Sequence, residues 1–269
     1  MNRIAVGIEY DGSDFAGWQT QPGLAAIQSS LEEALSRVLD HPVEVTGAGR
    51  TDAGVHARAQ VAHFQTSAIR GERALVLGAN TYLPEGIAVR WARPVPEHFH
   101  ARYSALSRTY RYCILNRIGR GPLSRQRAAF IHRRMEVEPM RAAALLLLGT
   151  HDFSAFRAAQ CQSRSPVRKL MQLDVQRAGD FVVIQVRANA FLHHMVRNLA
   201  GLLIHIGQGE APPGLAGELL EARERRLAPA TAPAQGLYLW SVQYPAGFGL
   251  PDDSDMMPSP TGCPGDLLE

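Results

Sequence analysis

The segment at residues 47–57 reads Gly-Ala-Gly-Arg-Thr-Asp-Ala-Gly-Val-His-Ala, so one carboxylate and one guanidinium stand among very small side chains. Its three glycines can adopt positive φ and leave Asp52 unscreened, as at a place where a ligand approaches the main chain closely. A nearby guanidinium, for which Arg197 is a plausible source, would keep this carboxylate ionised and able to capture an electrophile. The alternative is a surface turn, since Thr-Asp-Ala-Gly is ordinary turn chemistry.

Cysteine and histidine spacing does not predict a metal centre. The three cysteines contain no Cys-x-x-Cys pair and cannot form a disulfide framework or a zinc knuckle. The pairs His98/His100 and His193/His194 remain, but neighbouring residues on a helix point about 100° apart and chelate poorly. We therefore expect no metal, and histidines that pack or form hydrogen bonds.

The elements that must position Asp52 follow from hydrophobic periodicity. Alternating apolar residues predict a strand from Ile4 to Tyr10, and apolar residues from Ile27 to Leu39 have helical spacing. Short strands predicted at Val43–Val45 and Val61–Phe64 would place Asp52 at the exposed end of two strands. The remaining predicted elements are helices at Ala74–Asn80, Glu138–Leu148, Phe191–Ile206 and Gly214–Ala222, and strands at Ile87–Trp91, Thr109–Leu115, Leu170–Gln176, Phe181–Arg187 and Leu237–Tyr244.

Strands that alternate with helices but are partly joined by hairpins indicate an α+β fold. We expect a central, largely antiparallel mixed sheet flanked by helices and built from two related βα halves. The predicted divisions are an N-terminal half at 1–104 with the Asp52 loop, a C-terminal half at 105–245 with a tyrosine strand and an arginine helix, and a tail at 246–269. His193, Arg197 and Gly201 would share one face of the predicted helix that begins at Phe191.

Composition places the chain among folded proteins, because 46% of its 269 residues are hydrophobic and 20% are charged. No apolar run is long enough to cross a bilayer, and the first residues lack a signal-peptide core. These features predict a cytoplasmic protein without a membrane partner. The tail holds five acidic residues and no basic one, so we expect it to be disordered.

The basic residues are concentrated outside the tail. Residues 1–245 hold all 28 basic residues and 20 acidic ones, a formal charge of +8. Nine arginines without an acid lie between Glu97 and Glu136, and Arg157, Arg164, Arg168 and Lys169 form a second acid-free patch. Arginine binds phosphate with two hydrogen bonds, so both patches favour a nucleic acid partner. A solvated arginine-rich surface is the alternative.

Five separated motifs, in this order along the chain, resemble the TruA family of tRNA pseudouridine synthases. The resemblance runs from about residue 3 to residue 245, and the acidic tail has no counterpart in it. The motifs are Tyr10-Asp11-Gly12 with Gly17-Trp18-Gln19, Gly47 to His56, Phe99-His100-Ala101-Arg102, Arg108-Thr109-Tyr110-Arg111-Tyr112 and Phe191-Leu192-His193-His194-Met195-Val196-Arg197-Asn198.

The resemblance implies an enzyme that converts uridine to pseudouridine at positions 38, 39 and 40 of the tRNA anticodon stem-loop. It also implies a homodimer that works without cofactor or metal. In this family Asp52 would be the catalytic aspartate, and Arg197 would pair with it. Tyr110 would pack against the target base and could take part in proton transfer, while Arg50 would help take the uridine out of the stack.

The residues by themselves leave several alternatives open. Aromatic strand residues such as Tyr110 mostly serve packing, and a lone arginine such as Arg197 is commonly a surface residue. Asp52 could attack C1′ of the ribose, add to C6 of the base or deprotonate C2′. Cys161 is interpreted as part of an RNA-facing loop and not as a nucleophile, because no histidine motif accompanies it. The rival functions are a non-catalytic RNA-binding protein and a hydrolase, which would need a second carboxylate beside the first.

Overall fold

The computed structural model describes residues 2–251, and no helix in that range is long and apolar enough to cross a membrane. The strands in that range are β1 (Asn2–Tyr10), β2 (Thr46–Gly47), β3 (His56–Thr66), β4 (Ile87–Val95), β5 (Ser107–Asn116), β6 (Ala129–Ile131), β7 (Gly149–Asp152), β8 (Val167–Ala178), β9 (Phe181–Ala188) and β10 (Leu237–Gln243). The α-helices are α1 (Ile27–Leu39), α2 (Glu72–Tyr82), α3 (Val137–Leu146), α4 (Met195–Gly207) and α5 (Leu215–Ala222).

The described chain divides into two compact units. Unit 1 comprises residues 2–108 and 238–251, and unit 2 comprises residues 109–237. Strand β10 thus belongs almost entirely to unit 1, although it follows unit 2 in the sequence.

Unit 1 is built on the strand order β4-β1-β3-β10. Strand β1 pairs antiparallel with β3 and with β4, whereas β10 pairs parallel with β3. Helix α1 buries Ile27, Leu31 and Leu35 and ends at Leu39, because the φ of 58° at Asp40 cannot continue a helix. The strand predicted at Val43–Val45 is wrong by a few residues, because the residues that pair with β3 are Thr46 and Gly47.

Unit 2 is built on the strand order β5-β9-β8-β7, with β6 parallel to β5. Strands β8 and β9 form the predicted hairpin, in which Ala178 pairs with Phe181. Gly179 closes the turn with a φ of 52°, a conformation that favours glycine. Helix α3 lies against β8 and α4, so apolar side chains from helix and strand share one core.

Helix α4 begins at Met195, four residues later than predicted, and this expectation was wrong for a local reason. His194 adopts a left-handed conformation with a φ of 61°, so no α-helix can run through it. Phe191 and His193 therefore precede the helix, and His193 does not share a helical face with Arg197 and Gly201. From Met195 onward almost every residue of α4 is buried.

The predicted fold class, α+β with a largely antiparallel mixed sheet flanked by helices, is confirmed. The first residues of the predicted tail are described, and Ala246–Phe248 form a short 3₁₀ helix. The ring of Phe248 packs edge-on against Phe99, with centroids 5.0 Å apart. The remainder of the predicted disordered tail, residues 252–269, lies outside the described residues.

Candidate active site

Asp52 lies in unit 1, on the loop that joins β2 to β3, at the ends of two strands as the sequence predicts. The loop closes with a turn in which the Val55 N–H donates to the Asp52 carbonyl at 3.1 Å. Gly54 in this turn has a φ of 75°. The Asp52 side chain is half-buried and that of Arg50 is exposed, so both predicted site residues of this loop are accessible from outside unit 1.

The segment Gly17-Trp18 packs directly on the main chain of the Asp52 loop. The Trp18 N–H donates to the Thr51 carbonyl at 3.0 Å. Gly17 has a φ of 98°, and a Cβ there would lie 2.6 Å from the Thr51 oxygen and 2.9 Å from the Asp52 carbonyl carbon. Only glycine allows this approach, so the sequence motif at residues 17–18 acts as a backbone support for Asp52.

Arg108 holds the start of the same loop from inside unit 1. Its guanidinium is buried, and one Nη donates to the carbonyl of Ala48 at 3.0 Å and to that of Arg102. The sequence places Arg108 in a basic patch suited to a nucleic acid partner, but its burial makes that interpretation wrong for this residue. The fork geometry of arginine lets one side chain satisfy several carbonyls at once, which explains its use in the interior.

His56 was not singled out from the sequence, although it follows the loop directly and opens β3. Its Nδ1 lies 3.1 Å from the Gly12 nitrogen, which donates to it, and 3.1 Å from a carboxylate oxygen of Asp11. Its ring stacks on Tyr238 with centroids 4.6 Å apart. A Cβ on Gly12 would lie 2.0 Å from the Val55 oxygen, so the Tyr10-Asp11-Gly12 motif is a second backbone support for the loop.

Tyr110 lies in unit 2 on β5, with 8% of its surface exposed. Its ring meets Phe191 edge to face, with centroids 5.1 Å apart and an interplanar angle of 84°. Tyr112, two residues along the strand, donates from its hydroxyl to the Pro233 carbonyl at 2.9 Å. Burial raises the pKa of the Tyr112 hydroxyl, and the positive charge of Arg197 opposes that rise only in part.

Arg197 lies in unit 2 on the first turns of α4. Its Nε donates to the Ala232 carbonyl at 2.9 Å, and its own carbonyl accepts the Ala232 N–H at 3.1 Å. One turn later, a Cβ on Gly201 would lie 2.1 Å from the Ala230 oxygen. The segment at residues 230–233 therefore lies tightly along α4 and fixes the direction of the Arg197 guanidinium.

Comparison with known proteins shows the family to which the chain belongs. A family model described as tRNA pseudouridine synthase matches residues 7–104 and 143–245. The chain belongs to the tRNA pseudouridine synthase family. Pseudouridine synthases are isomerases, so this family member is an enzyme, and membership favours neither the hydrolase nor the non-catalytic binding protein.

Curated relatives in this family match nearly the whole chain. A tRNA pseudouridine synthase A from Methylococcus capsulatus is 56% identical over 252 residues, which cover 94% of this chain and 93% of the relative. A tRNA pseudouridine synthase A from Vibrio cholerae is 54% identical, with coverage of 93% and 95%. Among solved structures, a chain of a Cbf5-Nop10-Gar1 complex aligns with 75% of this chain and 45% of its own length, but the TM-score of 0.32 and the identity of 12% are too low for inference.

The arginines of this family member divide into surface and interior residues. Arg111, like Arg108, is buried and donates to the Gln185 amide oxygen at 2.7 Å, so it too is not a surface residue. The other seven of the nine arginines between Glu97 and Glu136 are exposed. In the second patch, Arg157 and Arg168 bond to carbonyl groups of residues 161–167, and only Arg164 and Lys169 are exposed.

Cys161 lies half-buried in the loop of unit 2 that these arginines hold. Its sulfur accepts the His193 N–H at 3.4 Å, while Arg157 donates to its carbonyl at 2.6 Å. Burial would raise the pKa of this thiol, but the backbone donors of His193 and Ser163 and the charge of Arg157 outweigh burial and lower it. Within either unit, the described residues bring no three histidine, cysteine or carboxylate ligands together.

Proposed function

We propose that this enzyme isomerises uridine to pseudouridine in tRNA, at positions 38, 39 and 40 of the anticodon stem-loop. The names of its relatives and the description of its family support tRNA as the substrate. One observation supports the catalytic assignment of Asp52: the main chain of its loop is fixed by close contacts that only a glycine at position 17 permits. A carboxylate on a supported main chain is suited to a reaction that demands an exact approach to one atom.

The reaction needs no oxidant or reductant. The bond from N1 of the base to C1′ of the ribose breaks, the base turns, and C5 bonds to C1′. The hydrogen of C5 leaves as a proton and N1 gains one, so product and substrate are isomers. One ionised carboxylate suffices whether Asp52 attacks C1′ of the ribose, adds to C6 of the base or deprotonates C2′. We propose that no cofactor or metal takes part. A primary isotope effect from deuterium at C2′ is expected only if Asp52 deprotonates that carbon in the slow step.

Three further residues complete the proposed site. Arg50 is exposed on the same loop as Asp52, where its guanidinium can replace stacking contacts of a uridine that leaves the helix. Tyr110 is proposed to pack against the flipped base, and its edge-to-face contact with Phe191 supports this role by fixing its ring. Arg197 is proposed to pair with the catalytic carboxylate and favour its ionised form, and its bond to Ala232 restricts its direction.

Tritium release tests the catalytic assignment. Uridine labelled with tritium at C5 loses its label to water when C5 bonds to C1′, so release from labelled tRNA reports each turnover. We expect Asp52→Asn to abolish release while tRNA binding persists, because the amide keeps the shape but cannot act as a nucleophile or base. Asp174→Asn, which removes an exposed carboxylate on β8, is the matched control and should release at the unchanged rate. Release by Asp52→Asn at the wild-type rate would refute the assignment.

Transfer RNA variants that keep uridine at only one of the three positions test the proposed site specificity. Release is expected from each of positions 38, 39 and 40, and no release from a tRNA that lacks uridine at all three. Label lost from a uridine elsewhere in that tRNA would contradict the specificity and leave the chemistry intact.

The exposed arginines support binding to the phosphate backbone and predict a steep salt dependence. Each phosphate contact releases counterions, so about six contacts would weaken tRNA binding on the order of a thousandfold between 50 and 200 mM salt. Filter binding across this range measures the slope. An affinity that does not change with salt would show that these arginines do not contact RNA.

We further propose that the enzyme is a homodimer that acts in the cytoplasm. Sedimentation equilibrium of the purified protein should give twice the chain mass of 29.4 kDa. A single species at the mass of one chain would contradict the dimer without touching the proposed chemistry.

A further inference from the structure

Gln60 is a fully buried amide on β3, directly opposite Ile8 of β1 in the strand pairing. Its Nε2 donates to the Gly49 carbonyl at 2.7 Å, and the Tyr10 hydroxyl oxygen lies 3.4 Å from the same nitrogen. Its Oε1 is buried without a hydrogen-bond partner among the described residues. A buried amide that leaves one atom unpaired destabilises a fold, so stability alone does not account for glutamine at this position.

Tyr10 continues the contact from Gln60 toward the catalytic loop. It is the last residue of β1, and only 3% of its surface is exposed. Its hydroxyl forms a 2.8 Å hydrogen bond with the Thr51 hydroxyl. Because an amide nitrogen can only donate, the Tyr10 oxygen accepts from Gln60, while either hydroxyl can donate in the bond between Tyr10 and Thr51. Hydrogen bonds therefore link Gln60 to Tyr10 and Tyr10 to Thr51.

Thr51 is the residue before Asp52, and it is held at two points. Its hydroxyl is bonded to Tyr10, and its carbonyl accepts the Trp18 N–H at 3.0 Å. A β-branched residue has few side-chain conformations, so fixing its hydroxyl also restricts its backbone. The Thr51 carbonyl belongs to the peptide group that begins Asp52, and its direction sets where the Asp52 side chain leaves the loop.

We propose that Gln60, Tyr10 and Thr51 form a buried hydrogen-bond chain that positions Asp52, with Gln60 also fixing Gly49 on the other side of Arg50. These three are positioning residues, since none of them is proposed to touch the substrate. The inference rests on the proposed role of Asp52 in catalysis. Misplacing a reacting group by about 1 Å can slow a reaction on the order of a hundredfold, which sets the scale of the expected effect.

Single-turnover tritium release, measured beside tRNA affinity, tests this chain. We expect Tyr10→Phe and Thr51→Val to slow release about ten- to a hundredfold and to leave the tRNA dissociation constant unchanged. Thr51→Ser keeps the hydroxyl and should restore most of the rate. Tyr244→Phe is the matched control, because it also removes one hydroxyl bond, 2.6 Å long and made to the Ala101 carbonyl, and it should release at the wild-type rate.

The double variant Tyr10→Phe/Thr51→Val gives the decisive comparison. Both single changes remove the same bond, so the double variant should be no slower than the slower single one. The proposed hydrogen-bond chain would be wrong if the rate loss of the double variant equalled the product of the two single losses. It would also be wrong if both single variants released tritium at the wild-type rate. If Tyr10→Phe fails to fold, the comparison of Thr51→Val with Thr51→Ser decides alone, and equal rates for these two would overturn the proposal.

The failure of this inference can be told apart from failure of the proposed function. If Asp52→Asn abolishes release while the Tyr10 and Thr51 variants keep the wild-type rate, the catalytic role stands and the positioning chain is wrong. If Asp52→Asn releases tritium normally, the catalytic role itself is wrong.

Discussion

His63 on β3 predicts how the stability of this enzyme depends on pH. Its Nδ1 accepts the Ala101 N–H at 3.2 Å, and its ring lies near those of Phe99 and His100. Burial is the main reason that the pKa of His63 falls from 6.5 to about 4, and the charges of His100 and Arg3 act in the same direction. The folded protein therefore holds His63 neutral under conditions in which the unfolded chain would bind a proton.

The sign and size follow from proton linkage. Between pH 6.5 and pH 4 the unfolded chain binds more protons than the folded one, so the free energy of unfolding rises with pH in this window. With one pKa unit equivalent to about 1.4 kcal/mol, lowering the pH from 7.5 to 5 should remove about 2 kcal/mol of stability through His63 alone. His100, whose pKa is also lowered by burial, acts in the same direction.

Urea unfolding at pH 7.5 and pH 5 measures this loss. In His63→Gln the side chain cannot be protonated, although its amide oxygen can still accept the Ala101 N–H, so about 2 kcal/mol of the difference between the two pH values should disappear. His132→Gln, which changes an exposed histidine of unit 2, is the matched control and should keep the full difference. An unchanged pH dependence in His63→Gln would refute the assignment of the loss to this residue.

Two glycine substitutions test the close approaches in the two units. Gly17→Ala should lower the free energy of unfolding by more than about 1 kcal/mol and slow tritium release, because its Cβ would lie 2.6 Å from the Thr51 oxygen at a φ of 98°. Gly23 has a φ of 75°, but no atom lies within 4 Å of its Cβ position, so Gly23→Ala should release tritium at the wild-type rate. Equal release rates for Gly17→Ala and Gly23→Ala would argue against the steric reasoning. Gly201→Ala should lower the free energy of unfolding of unit 2 in urea. Gly217→Ala, in an open helical position, should leave it unchanged or raise it by up to about 1 kcal/mol. A Gly201→Ala variant more stable than Gly217→Ala would contradict the packing of α4.

Local pattern predicted the elements that carry a strong periodic signal. Alternation fixes β1 and helical spacing fixes α1, because both depend on side chains a few positions apart. The glycine-rich segment at residues 47–57 was also visible as a loop, since its composition suits neither a strand nor a helix. These features suffice to place Asp52 between two strands.

Other features depend on backbone angles and contacts between distant residues. The predicted start of α4 was wrong because the hydrophobic pattern does not indicate the positive φ at His194. The burial of Arg108 was missed because its partners, Ala48 and Arg102, are carbonyl groups that every residue carries. The place of β10 in unit 1 could not be predicted from its own residues, since an apolar strand can belong to either unit.

The sequence by itself determined the fold class, the position of the Asp52 loop and, through its motifs, the resemblance to tRNA pseudouridine synthases. Only the tertiary structure decided why the glycines at positions 12 and 17 are needed and how Gln60 and Tyr10 reach Thr51. The physical reason is that a sequence pattern records which side chains prefer burial, whereas these hydrogen bonds and close backbone contacts form only when segments distant in the sequence are brought together.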